Sequence, residues 1–278
     1  MDKEQESRTA VGVAMLRAVH QLVDRGPKIL EDHVILDLLP DGVETYICEQ
    51  LNRYQHPGAR ALRTHVLLRN RYAEDCLRDA CNRGITQYLL LGAGLDTFAY
   101  RQPQWASGLR IFELDYPASQ DHKKKLLAQA DIPVPGNLSF VPGDLEKVSL
   151  PDALAASSFD FSKPAFLSWL GVMPYLSPPV NRAIIRQVAK MSRGTEMVFT
   201  FSRRDHPGRP SMLASLAAAH GEPWRTRLSR EELEGQLMDA GFSRFGFLEP
   251  GEARRRYFGD PASDLQPPSR ASIVRVIV

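Results

Sequence analysis

Apolar positions recur at helical spacing from the start of the chain. Over residues 7–25, Val11, Ala14, Met15, Ala18, Val19 and Leu22 fall on one face. Ser7 or Thr9 can cap this helix, and Gly26-Pro27 ends it. Residues 29–39 predict a shorter helical piece before Pro40, and residues 41–57 carry weak signals. A long amphipathic helix is predicted over 59–83, with Gly84 as its stop. The first 84 residues therefore read as an N-terminal helical cap.

After residue 84 the pattern changes to short apolar runs separated by helices. Residues 88–91, 109–114, 138–142, 165–170 and 196–201 read as strands, followed by 242–248 and 271–278. Helices are predicted over 117–127, 178–191, 213–219 and 229–240. Pro178 and Pro179 lie in the first turn of the second, and Ser229 and Glu232 form a capping box on the last. Residues 203–210 and 249–268 read as loops, so the last two strands have no helix between them. This order predicts an α/β, Rossmann-like, doubly wound sheet of seven mostly parallel strands with an antiparallel last strand. Residues 85–278 form this core, one compact unit with the cap.

The chemistry concentrates at residues 87–101, QYLLLGAGLDTFAYR. An apolar strand stops at Gly92-Ala93-Gly94, where glycine permits positive φ and close approach of backbone N–H groups to a ligand. Asp115 ends the next strand, 21 residues beyond Gly94. A glycine turn followed by an acid at the tip of the next strand is the adenosine half-site of a doubly wound sheet, the acid accepting from the ribose hydroxyls. The third glycine of a dinucleotide fingerprint would fall at position 97, where Thr97 stands. Without it, a nucleoside lacking phosphates is favoured over a dinucleotide. S-adenosyl-L-methionine (SAM) is such a ligand.

Composition narrows the partners. The net charge of +2 gives no reason to expect a nucleic-acid partner. Cys48, Cys76 and Cys81 contain no C-x-x-C pair and read as reduced packing residues in a cytoplasmic setting. No metal site, signal peptide or membrane span is expected. The lysine run 123–125 and the arginine run 254–256 read as solvated surface.

The blocks SRTAVGVAMLRA, LRNRYAED, LLLGAGLDTFAYR, FELDYP, PGDL, SWLGVMPYL and GEPWRTRLSREELEGQLMDAGF cover nearly the whole chain. Together they resemble the leucine carboxyl methyltransferase-like group of class I SAM-dependent methyltransferases, in its bacterial O-methyltransferase branch. The resemblance implies that Gly92 and Gly94 line the methionine part and sugar of SAM, and that Asp115 holds the ribose. Asp144 and Leu145 would flank the adenine. Arg69 would pair with the SAM carboxylate, a role for which Arg71 competes, and Arg8 would add a second basic contact. The leucine carboxyl enzymes carry a glutamate after the fourth strand where this chain has Leu170-Gly171, so that contact is not carried over.

Each site residue also has a plainer role open to it: Asp115 a strand-end acid, Asp144 a turn former, Arg69 a surface arginine. Trp169, Met173 and Tyr175 divide between substrate side and core, while Tyr100 and Trp105 read as structural. The expected activity is O-methyl transfer from SAM to a small-molecule acceptor, a carboxylate of secondary, polyketide-type metabolism. A carboxylate is already ionised at neutral pH, with a pKa of about 4, and needs no general base. A phenol or alcohol acceptor would need one, with His206, His122 or Tyr175 as candidates. The alternatives are a protein carboxyl methyltransferase and a non-catalytic SAM-binding partner protein.

Overall fold

The structure, a computed structural model, describes residues 8–204, 218, 221–242 and 244–278. Its centre is a seven-stranded sheet in the order β3-β2-β1-β4-β5-β7-β6. The strands are β1 (Gln87–Leu91), β2 (Arg110–Asp115), β3 (Leu138–Pro142), β4 (Phe166–Trp169), β5 (Glu196–Thr200), β6 (Arg244–Phe247) and β7 (Ile273–Ile277). β7 inserts between β5 and β6 and runs antiparallel to both, while the strand pairs from β3 to β5 are parallel. The predicted antiparallel last strand is thus present.

Side chains of the central strands alternate between two cores. Leu89, Leu91, Phe112 and Leu114 join one cluster, with Ile184, Ile185 and Val188 from a covering helix. Tyr88, Leu90 and Ile111 join the other, with Leu67, Tyr72, Cys76 and Leu77 from the long N-terminal helix. All five residues of β1 are buried. Its polar member, Gln87, is satisfied: its amide donates to the Asp160 carbonyl at 3.0 Å, and its Oε1 accepts from Asp160 N at 2.8 Å. Near-continuous burial is what a parallel strand covered on both faces requires.

Before β1 the chain forms α1 (Arg8–Leu22), α2 (Val34–Asp37), α3 (Val43–Glu49), α4 (Leu51–Gln55) and α5 (Pro57–Asn82). Only Val34–Asp37 of the expected 29–39 helix is helical. The preceding stretch is instead drawn into the core by Asp32, which is fully buried. Residues 41–57, weak in pattern, hold two short helices. α5 starts two residues early because Pro57 is compatible with a first turn and His56 accepts from Gly58 N at 3.2 Å.

Beyond β1 come α6 (Pro117–Gln129), α7 (Leu150–Leu154), α8 (Pro178–Ala189), α9 (Arg230–Ala240) and α10 (Pro250–Tyr257). α7 lies where no element was expected and starts on the Ser149 side chain, which accepts from Asp152 N at 3.2 Å. α9 carries the predicted capping box and ends at Gly241 with φ 101°. α10 corrects the loop predicted over 249–268. Pro250 opens it, Glu252 sits in its first turn, and Arg254, Arg255 and Arg256 sit in its last, the charge order a helix dipole favours. Nor is Arg256 simply solvated: it lies over the Tyr72 ring and reaches Asp75 at 3.3 Å. In the lysine run, Lys123 is 1% exposed and bonds Glu113 at 2.7 Å, against the expectation of a solvated face. Cys48 is exposed and so is not a packing residue; Cys76 is buried, and all three cysteines are free. The predicted helix 213–219 lies, apart from Ala218, outside the described residues, as does His206. No helix among the described residues is long and apolar enough to cross a membrane.

Candidate functional site

The sheet reverses its winding at β1: β2 and β3 lie to one side, β4 and β5 to the other. Ligands of open α/β sheets bind at such a switch point, beyond the carboxyl ends of the strands. A cavity of about 660 Å³ opens there. Gly92, Gly94, Asp115 and Asp144 line it from the strand ends, Leu170, Gly171 and Tyr175 from beyond β4, and Arg69 and Asn70 from α5. Thr9, Ala10, Val13 and Arg17 of α1, with residues 221–223, complete the wall.

The glycine turn is built as its sequence requires. Gly92 has φ 70° and Gly94 φ 51°, where other L-residues are strained. A Cβ on Gly92 would stand 2.4 Å from Val172 Cγ2. Gly92 N donates to the Leu114 carbonyl at 2.8 Å, tying the turn to β2. Asp115 then closes it: one carboxylate oxygen accepts from Gly94 N, and the other from Tyr116 N at 2.6 Å. Burial holds this carboxyl above its ordinary range, with the two N–H donors and Lys123 opposing. Asp115 has no cation bonded to it among the described residues.

Thr97 does what a third glycine could not. Its hydroxyl donates to Asp32 Oδ1 at 2.6 Å and accepts from Arg17 Nη2 at 2.6 Å and Arg101 Nε at 3.0 Å. Arg17 also donates to Asp32 Oδ2 at 2.7 Å and to the Leu95 carbonyl at 2.8 Å. Burial pushes the Asp32 carboxyl up, but Arg17, Arg101 and Thr97 outweigh it and hold it below the usual range. This buried network clamps α1 onto the glycine turn. Arg17 and Asp32 were missed from the sequence because they lie 15 residues from each other and 80 and 65 residues from Thr97.

Arg69 enters the cavity; Arg71 pairs with Asp75 at 3.2 Å and does not line it. Arg69 passes over Gly171, whose φ is 78°, and a Cβ there would lie 2.3 Å from Arg69 Nη1. Its Nε is sealed from solvent and has no hydrogen-bond partner among the described residues. Burial, more than its charged neighbours, lowers the Arg69 pKa to about 10, and burial with nearby Arg69 takes His65 down to about 3. His65 is therefore neutral.

Asp144 accepts from Glu146 N at 3.0 Å and pairs with Lys147 at 2.9 Å; Leu145 beside it is 9% exposed. Trp169 is wholly buried and Met173 nearly so, which assigns both to the core. Tyr175 lines the cavity; His122 does not. Tyr100 is partly buried and packs against the core, and the Trp105 ring lies 5.9 Å from that of Phe98. The Arg8 side chain lies outside the described part.

Comparison with known proteins bears on what the cavity holds. The model of the leucine carboxyl methyltransferase family matches residues 10–189. Two relatives carry the name "Putative S-adenosyl-L-methionine-dependent methyltransferase". YktD of Bacillus subtilis (strain 168) is 30% identical over 95% of both chains. A protein of Mycobacterium avium (strain 104) is 31% identical over 75% of this chain and 62% of its own. In fold, the chain is similar to a DUF574 family protein from Streptomyces avermitilis MA-4680, with a TM-score of 0.57, 15% identity and 96% of each chain covered. The chain belongs to the leucine carboxyl methyltransferase family, as an S-adenosyl-L-methionine-dependent methyltransferase.

Proposed function

We propose that the cavity holds SAM and a small carboxylic acid side by side and that the enzyme forms a methyl ester, the acceptor belonging to secondary, polyketide-type metabolism. The observation that carries the reading is Arg69, which enters the cavity with no acid bonded to it among the described residues, together with Asp115, which lines the same cavity and has no bonded cation among them. These are complementary to a zwitterionic nucleoside: a guanidinium fork for its carboxylate and an acid for its ribose diol. Gly92 and Gly94 let the backbone approach the methionine part and the sugar. Asp144 and Leu145 flank the adenine.

When bound, SAM supplies a methyl group on a sulfonium, an electrophile that needs no metal. The chain's part is to align donor and acceptor and keep water out, which is most of the catalysis in such a displacement. α1 and α5, within a cap of residues 1–84, close the cavity over the sheet of residues 85–278. An acid acceptor enters ionised, so no side chain has to remove a proton. The family's name, which specifies carboxyl groups, supports this acceptor class. With a hydroxyl acceptor, Tyr175 is the described candidate for moving the proton.

Methyl-labelled SAM incubated with a panel of small acids, phenols and proteins tests the reading. Label released as methanol by mild base from a small-molecule product marks an ester. Base-stable label marks an ether and overturns it, label in protein bands marks a protein carboxyl methyltransferase, and calorimetric SAM binding without turnover marks a non-catalytic binder.

A further inference from the structure

The methionine end of SAM carries an ammonium as well as a carboxylate, and an ammonium taken out of water requires an acceptor of its own. Among the described residues five acids line the cavity: Asp96, Asp115, Asp144, Glu146 and Glu222. Asp115 is tied by both oxygens to the backbone of the glycine turn and of β2's end. Asp144 pairs with Lys147 at 2.9 Å, Glu146 with Arg225 at 3.0 Å, and Glu222 accepts from the Thr9 hydroxyl. Leu170 and Gly171, beyond β4, bring no acid. Asp96 differs from the rest. Its Oδ1 accepts from Phe98 N at 2.8 Å, which fixes the side chain against the backbone. Its other oxygen has no hydrogen-bond partner, and the carboxylate no bonded cation, among the described residues.

Asp96 also stands at the Arg69 end of the cavity. It lies two residues past Gly94, and its N–H donates to the Ala93 carbonyl at 2.9 Å. Burial lowers the Arg69 pKa, and the groups that oppose the shift are Tyr175 and Asp96, which places both around the guanidinium. Two other cations of this region are already committed. Arg101 bonds Glu74 at 3.1 Å and Thr97 at 3.0 Å, and Arg17 bonds Asp32 at 2.7 Å. Next to Arg69 on α5, Asn70 lines the same cavity although it is only 7% exposed. Its side-chain amide has no hydrogen-bond partner among the described residues. A polar group buried to that extent is costly to leave unsatisfied, and a ligand in the cavity would satisfy it.

We propose that Asp96 and Asn70 complete the hold on the amino-acid end of SAM: the free Asp96 oxygen accepts from the α-ammonium, and the Asn70 amide donates to the α-carboxylate beside Arg69. The inference rests on the cavity being the SAM site. An acid and a guanidinium at one end match the two opposite charges that an amino acid carries on one carbon, and the neutral amide adds a donor without disturbing that balance. Anchoring both charges fixes the rotation of the methionine chain, and with it the direction in which the sulfonium presents its methyl group.

Calorimetry on the full chain with S-adenosylhomocysteine, its deaminated analogue and its decarboxylated analogue tests both assignments. Asp96→Asn keeps an oxygen for Phe98 N and loses the charge. In the wild type the deaminated analogue binds weaker than S-adenosylhomocysteine by about tenfold or more. Asp96→Asn weakens S-adenosylhomocysteine by about tenfold or more but the deaminated analogue by less than about twofold, and that retained binding shows a folded variant. Asn70→Leu, close in volume, weakens S-adenosylhomocysteine by about fivefold or more and the decarboxylated analogue by less than about twofold. Equal affinity of the wild type for S-adenosylhomocysteine and the deaminated analogue overturns the Asp96 assignment with no variant needed, and so does an Asp96→Asn loss that is the same for both. A loss shared by S-adenosylhomocysteine and the decarboxylated analogue in Asn70→Leu overturns the Asn70 assignment. Failure of S-adenosylhomocysteine and both analogues to bind the wild type would instead overturn the reading of the cavity.

Discussion

At the scale of single residues, Arg69 and Gly171 form one device. The guanidinium lies where a side chain at 171 would be, and Gly171 holds φ 78°, which other residues resist. Gly171→Ala therefore displaces Arg69 as well as straining the backbone by roughly 1–2 kcal/mol. Hydrogen bonds to charged groups contribute about 1.5–3 kcal/mol, so Arg69→Ala should weaken SAM binding by roughly 10- to 150-fold. Gly171→Ala should lose much of the same amount, and the double variant little more than Arg69→Ala alone, because the two changes remove one contact. Calorimetry on the three variants checks this; additive losses would separate the residues. Asp115 gives a companion prediction. Its carboxyl is held above the ordinary range by burial, so SAM affinity should begin to fall on acidification at a higher pH than an ordinary aspartate would dictate. Asp115→Asn should bind weakly with a flat pH profile.

At the scale of elements, two buried charge networks fix the parts that line the cavity. Asp32 anchors α1 to the segment after the glycine turn through Arg17 and Thr97. Asp32→Asn leaves two guanidinium groups without their shared carboxylate and should cost about 3–5 kcal/mol in urea unfolding. Lys123 and Glu113 do the same beneath β2, the strand that ends in Asp115. Burial, opposed by Lys123, raises the Glu113 carboxyl from 4.5 to about 7. The folded state thus keeps a proton that the unfolded chain releases, and from this group alone stability falls as pH rises through that window. Lys123→Met removes the charge that offsets burial, so its destabilisation should grow between pH 5 and pH 8, reaching about 3–5 kcal/mol at the upper end. Such networks mark the boundary of what the chain's pattern reveals. β1, the glycine turn and β2 were legible because each is written in consecutive residues: an apolar run, two glycines, an acid at a strand tip. Lys123 was misread because one buried lysine in a run of three looks like its solvated neighbours until Glu113 is placed beside it. α10 was missed for a different reason: its arginines suggested surface, and surface was taken for loop, although Pro250 and the charge order are helix signals.

At the scale of the molecule, the cavity is assembled from parts far apart in the chain: α1, α5, the ends of β1 and β2, the turn after β4, and residues 221–223 with Arg225. A ligand bound there touches the helices that precede the sheet as well as the sheet itself, so its binding free energy should appear as stability of the whole fold. A ligand at 100 times its Kd stabilises the folded state by about 2.7 kcal/mol. At roughly 2–4 °C per kcal/mol for chains of this size, S-adenosylhomocysteine should raise Tm by about 5–10 °C. At the same ligand concentration Arg69→Ala and Asp115→Ala should lose about half of that shift or more, since the stabilisation depends on the ratio of concentration to Kd. Arg182→Ala, on the exposed face of α8 and outside the cavity lining, should keep it. The comparison reads the difference between melting with and without ligand for each variant, so any stability lost by the substitution itself cancels. Equal shifts in the wild type, Arg69→Ala and Asp115→Ala would move the nucleoside out of this cavity.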